Sequence, residues 1–98
     1  MIDRRTTYID PTFTLVGGPS KIVEGVTFRL YKTDTGDALI SDDGKIMVKQ
    51  GYLNVSYTAY VIGAGPILGG NVKPKHFRNH DRACAEAVEL LKLIQAAQ

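Results

Sequence analysis

GKIMVKQGYLNVSYTAYVIG, residues 44–63, alternates from end to end. One set of side chains is Ile46, Val48, Leu53, Val55, Ala59 and Val61, and the other is Lys45, Met47, Lys49, Tyr52, Asn54, Tyr60 and Ile62. A two-residue period is the mark of strands with one face on a core and one face outward. Gly51 interrupts the run and marks a bulge or a turn. The first set is therefore a core face. The second mixes lysines with tyrosines, which raises the question of what that face meets.

Upstream, IVEGVTFRLYKT (residues 22–33) reads as one strand with Val26, Phe28 and Leu30 on one side and Thr27, Arg29 and Tyr31 on the other. TFTLV alternates as well, with Phe13 and Leu15 together, and GGPS at 17–20 is a turn. DTGD, a short ALI strand and the hairpin turn SDDGK come next, with Gly44 free to take the positive φ such turns require. Asp34, Asp37, Asp42 and Asp43 all fall in these turns, where aspartate is favoured for its backbone hydrogen bonds. Residues 1–11 form a polar N-terminal arm, and residues 63–71 form a glycine-rich loop with Ile67 and Leu68 at its tip.

From Asn79 the period changes. NHDRACAEAVELLKLIQAAQ predicts a helix over 79–96, with Asn79 as N-cap and Asp81 in the first turn. Cys84, Ala87, Val88, Leu91 and Ile94 make its buried stripe, and Arg82 is placed to pair with Glu86. Leu93 projects on the polar side. The expectation is a single α+β domain over 1–98. It is a twisted antiparallel sheet of four to five strands within 12–78, with the one C-terminal helix packed on the Phe28, Leu30, Ile46, Val48, Val55 and Val61 face.

Ninety-eight residues with 44% hydrophobic and 22% charged composition suit one globular core. A net charge of +2 implies no bulk attraction to nucleic acid or membrane. One cysteine allows no internal disulfide. The N-terminal segment has no apolar core of a signal peptide, and no apolar run approaches the roughly 18 residues that span a bilayer. A cytoplasmic protein is expected, in the host cytoplasm if phage-encoded.

Catalytic patterns do not assemble. His76, His80 and Cys84 stand at i, i+4 and i+8, but Pro74 and the extended VKPKHF oppose a helix at 76 and no fourth ligand is in view. Cys84 faces the core, away from the access a nucleophile needs. GAGPILGG lacks the Lys-Ser/Thr of a phosphate-binding loop and is followed by an extended piece. No enzyme, metal or cofactor is therefore expected. The surfaces carry more. Arg29, Tyr31, Lys49, Tyr52 and Tyr60, with Ile67 and Leu68, suit contact with a protein. Lys45, Lys49, Lys73, Lys75, Arg78 and Arg82 could track phosphates while the tyrosines stack on bases. An unpaired edge strand or Leu93 would permit a symmetric dimer.

The stretch YTAYVIGAGPILGGNVKPKHFRNHDRACAEAVELL resembles the end of the arm-type DNA-binding domain of phage integrases, with a longer and glycine-richer loop. That resemblance implies a sheet laid on DNA and a packing helix beginning soon after Phe77. The size and plan are also similar to small phage-encoded inhibitors such as anti-CRISPR proteins. This likeness implies stoichiometric binding to a host defence protein or ribonucleoprotein complex.

Overall fold

The structure, a computed structural model, describes residues 6–51, 56–70 and 72–97. Its elements in order are β1 (Thr14–Leu15), β2 (Lys21–Val23), β3 (Val26–Thr33), β4 (Gly36–Ser41), β5 (Ile46–Gln50), β6 (Tyr57–Val61), β7 (Gly65–Pro66) and α1 (His80–Ala96). The strands form one open antiparallel sheet in the order β1-β3-β4-β5-β6-β7, with β2 beside β1 on the same edge of β3. The expected α+β plan is thus present, and the short strands β1, β2 and β7 extend the sheet at its two edges.

Chain order follows strand order from β3 to β7, each strand pairing with the next. Two connections differ from the sequence expectation. The expected single strand over 22–33 is two strands, folded back at Glu24-Gly25. Both turn residues have positive φ (51° and 79°), the geometry that matches the right-handed twist of a two-residue hairpin. Likewise, the expected free loop over 63–71 begins with β7. Gly65 pairs with Val61 and Pro66 with Tyr60, and the Ile67 amide donates to the Ala59 carbonyl at 2.9 Å. Gly51 follows the end of β5, its amide donating to the Ser56 carbonyl at 2.7 Å. The assignments of Tyr52, Leu53, Asn54 and Val55 lie outside the described residues.

Cross-strand partners share a face, so the register divides the side chains into two layers. The row Leu30–Leu39–Val48–Ala59 and the row Ile46–Val61 face α1. Ile46, Val48, Ala59 and Val61 make the main core with Phe28, Phe77, Ala83, Cys84, Ala87 and Val88, flanked by Leu39, Leu90, Leu91 and Ile94, whereas Leu30, expected under the helix, stays 37% exposed because α1 lies over β5 and β6. Ala83, outside the five-residue stripe read from the sequence, is fully buried as well. The rings of Tyr57 and His80 are 5.5 Å apart, and Ile94 lies beside Gly63, so α1 runs in the same direction as β6.

The helix starts where its cap predicts. Asn79 is extended, and its side-chain oxygen accepts the Asp81 amide at 2.8 Å. Arg82 and Glu86 pair at 3.5 Å, one turn apart. Asn79→Ala is expected to lower stability by about 1 kcal/mol, read as a shift in urea midpoint at constant slope.

The opposite face holds a second core. Ala38, Ile40 and Met47 are buried there beneath Tyr8 of the N-terminal arm, with Ile9, Phe13, Tyr31, Tyr60 and Ile62 packed around them. The arm is fixed by the Tyr8 amide, which donates to the Gly44 carbonyl at 2.7 Å. An Asx turn then redirects the chain toward Phe13: Asp10 Oδ1 accepts from the Thr12 amide at 2.8 Å and from its hydroxyl at 2.7 Å. The alternating pattern alone leaves this face open. It is closed because three apolar side chains at its centre need a cover, and the arm supplies one.

Candidate functional site

The sequence-derived residues fall into two separate groups. Arg29, Tyr31, Lys49 and Tyr60 belong to the arm side of the sheet, in the rows Arg29–Ile40–Met47–Tyr60 and Tyr31–Ala38–Lys49–Thr58, and Lys45 immediately precedes β5. Most of these side chains have partners within the chain. Arg29 Nε donates to Asp42 Oδ1 at 2.8 Å. Lys49 donates to the Thr35 hydroxyl. The ring of Tyr60 meets that of Tyr8 edge-on at 6.3 Å, and Tyr31 packs on the same cluster. A stacking platform needs open ring faces, and the arm takes up part of these two. Tyr52 lies outside the described residues.

The second group gathers where the glycine-rich segment meets the start of α1. Ile67 and Leu68, adjacent in the chain, separate. Ile67 packs on the main core, whereas Leu68 is 51% exposed and bridges Pro74. Between them and the helix the chain makes a small hairpin, with the Gly69 amide donating to the Lys73 carbonyl at 2.7 Å and the Lys75 amide to the Ile67 carbonyl at 2.8 Å. Val72 at its tip is 76% exposed and has φ of 62°. A β-branched residue in the left-handed region is strained by about 1–3 kcal/mol. Sequence reasoning missed Val72, because the neighbouring Gly69-Gly70 offered positive φ at no steric cost.

Cations surround this tip. Residues 44–80 hold five of the twelve Lys and Arg residues and none of the ten Asp and Glu. Lys73 and Arg78 are exposed and have no ion-pair partner among the described residues. Lys75 and Arg82 share Glu86, at 3.2 and 3.5 Å, and Lys75 also lies 4.9 Å from the centre of the Phe77 ring. Exposed Leu68 and Val72 thus share this segment and the start of α1 with Lys73, Lys75, Arg78 and Arg82.

Of the acids expected in turns, Asp37 lies instead in β4, opposite Lys32, and Asp43 makes the turn bonds its type favours. Asp43 Oδ1 accepts from the Ser41 hydroxyl at 2.7 Å and the Lys45 amide at 3.1 Å. Among the described residues no group of three His, Cys, Asp or Glu side chains could hold a metal ion, and no helix is long and apolar enough to cross a membrane.

Cys84 is buried, and burial pushes its thiol up to about 12, the nearby Lys21 opposing and Asp81 reinforcing this. Its stabilising contribution is whole below the ordinary thiol range, near 8.5, and is lost as pH rises toward the folded value. At pH 8 a disulfide reagent is expected to label Cys84 on the order of a thousandfold slower in the native protein than in urea, the rate following global opening. Asp81 is held below the usual carboxylate range by the hydrogen bond from Lys21, 2.5 Å away. Its contribution is present above the ordinary Asp range and is lost as pH falls through the lowered value. Asp81→Asn should therefore flatten the acid side of a stability–pH profile.

No protein-family model matches the chain, and neither the curated proteins nor the solved structures compared with it give a match.

Proposed function

We propose that the chain is a non-catalytic binding protein that docks on an acidic surface of a partner protein through Leu68, Val72, Lys73, Lys75, Arg78 and Arg82. The observation that carries this reading is the convergence of exposed apolar Leu68 and Val72 with Lys73, Lys75, Arg78 and Arg82. An apolar anchor ringed by cations suits a partner pocket with an acidic rim, where the cations guide encounter and the apolar contact holds the complex. The partner expected from size and plan, which resemble those of small phage-encoded inhibitors, is a host defence protein or ribonucleoprotein complex.

Nucleic-acid binding through the sheet is the second reading, and the arm's partial cover of Tyr31 and Tyr60 weighs against it. An anisotropy titration with single- and double-stranded oligonucleotides at low salt separates the two. The expected result is no saturable binding. Tight binding that falls steeply with salt and is lost in a Lys73→Glu/Arg78→Glu variant would overturn the protein-docking reading.

The strain at Val72 gives a further test. Val72→Gly is expected to raise stability by about 1 kcal/mol, by relieving the positive φ. It should weaken partner binding at the same time, because the exposed anchor is lost. A gain in stability with unchanged partner affinity would remove Val72 from the contact.

A further inference from the structure

The helix-facing side of the sheet is only partly covered. α1 packs on β5 and β6 and leaves a groove of about 230 Å³ over β3 and β4. Its apolar lining includes Leu30, Leu39 and Val48, and Leu30 remains 37% exposed despite its place in the core row. Lys21, His80, Tyr57, Gln50 and Asp37 supply the polar lining. Lys21 Nζ is 2.8 Å from His80 Nε2.

We propose that this groove binds a small amphipathic monocarboxylate, its apolar part on Leu30, Leu39 and Val48 and its carboxylate on Lys21. Three observations lead there. The groove combines an apolar lining with few polar groups, which is the usual composition of a ligand site, and its volume, a little below the usual range, suits only a small ligand. Lys21 already holds a carboxylate, that of Asp81, at 2.5 Å, and this marks where an anion sits. Both partners reach solvent, with side chains 33% and 56% exposed, so a ligand can take the place of Asp81 without uncovering a buried charge. Asp37 is the one acid in the lining, and it stands opposite Lys32 in the β3–β4 ladder.

The test is a set of amide chemical-shift titrations of the full chain with hexanoate, 1-hexanol and hexylamine. Hexanoate is expected to shift the amides of Leu39, Val48 and His80 saturably and to bind about tenfold tighter than hexanol, with the amine weakest. Asp81→Asn should tighten hexanoate binding by removing the internal competitor. Lys21→Met should reduce hexanoate to the level of hexanol while leaving hexanol unchanged, which also shows that the groove is intact. A preference for the amine, equal binding of all three, or no shift at the groove would overturn the proposal. None of these outcomes bears on the docking end, whose residues lie outside the groove lining.

Discussion

Tyr8→Ala is expected to lower folding stability by about 3 kcal/mol or more, the range for truncating a buried aromatic. For a domain of this length that is a fall in Tm on the order of 15 °C. Tyr8 is 4% exposed, and its ring covers Ala38, Ile40 and Met47 while meeting Tyr60 edge-on. Truncation leaves a void at the centre of the contact between arm and sheet, with Ile9 and Phe13 at its margins. Urea unfolding reads the loss, and binding of an apolar dye reads the newly uncovered face. Thr6→Ala, at an exposed neighbouring position, should change neither. An unaltered midpoint for Tyr8→Ala would mean that the arm does not close the sheet.

Gly44→Val acts on the same contact from the other side and is expected to cost about 3 kcal/mol. Gly44 has φ of 72°, which costs an L-residue about 1–2 kcal/mol. A Cβ there would also run into the Thr7 side chain, just where the Gly44 carbonyl accepts the Tyr8 amide. The arm must then move off, and part of the Tyr8 burial goes with it. Because both substitutions release the same segment, their effects should not add. The double variant is expected to lose less than the sum of the two, by about 1 kcal/mol or more in a double-mutant cycle. Strict additivity would separate the turn from the arm.

The elements that carry a strong period are legible in the sequence. The helix from Asn79 is, because its cap, its stripe and its Arg82–Glu86 pair all agree. So are β5 and β6, and the Gly44 turn. The features that escape a sequence reading depend on contacts far apart in the chain. Nothing local in Glu24-Gly25 matches the Asn-Gly or Asp-Gly signature of a tight hairpin, so the stretch reads as one strand where two exist. The arm looks polar because Tyr8, Ile9 and Phe13 are scattered. Their role shows only once Ala38, Ile40 and Met47 are known to share a face. For the same reason the tyrosines suggest an open platform. Within the candidate site, the cations at 73–82 and the exposed Leu68 are legible. Val72 is not, since strain at a hairpin tip is a property of the folded backbone and leaves no trace in composition.

The docking proposal is tested most directly by site-specific photo-cross-linking in native host extract, with the photoreactive residue placed at Leu68, at Val72 or at Leu93. Leu93 is 68% exposed on the helix and serves as the control. The account predicts one protein adduct from positions 68 and 72, weakened by salt and by Lys73→Glu/Arg78→Glu, and none from position 93. Adducts to nucleic acid, or the same protein captured equally well from position 93, would contradict it.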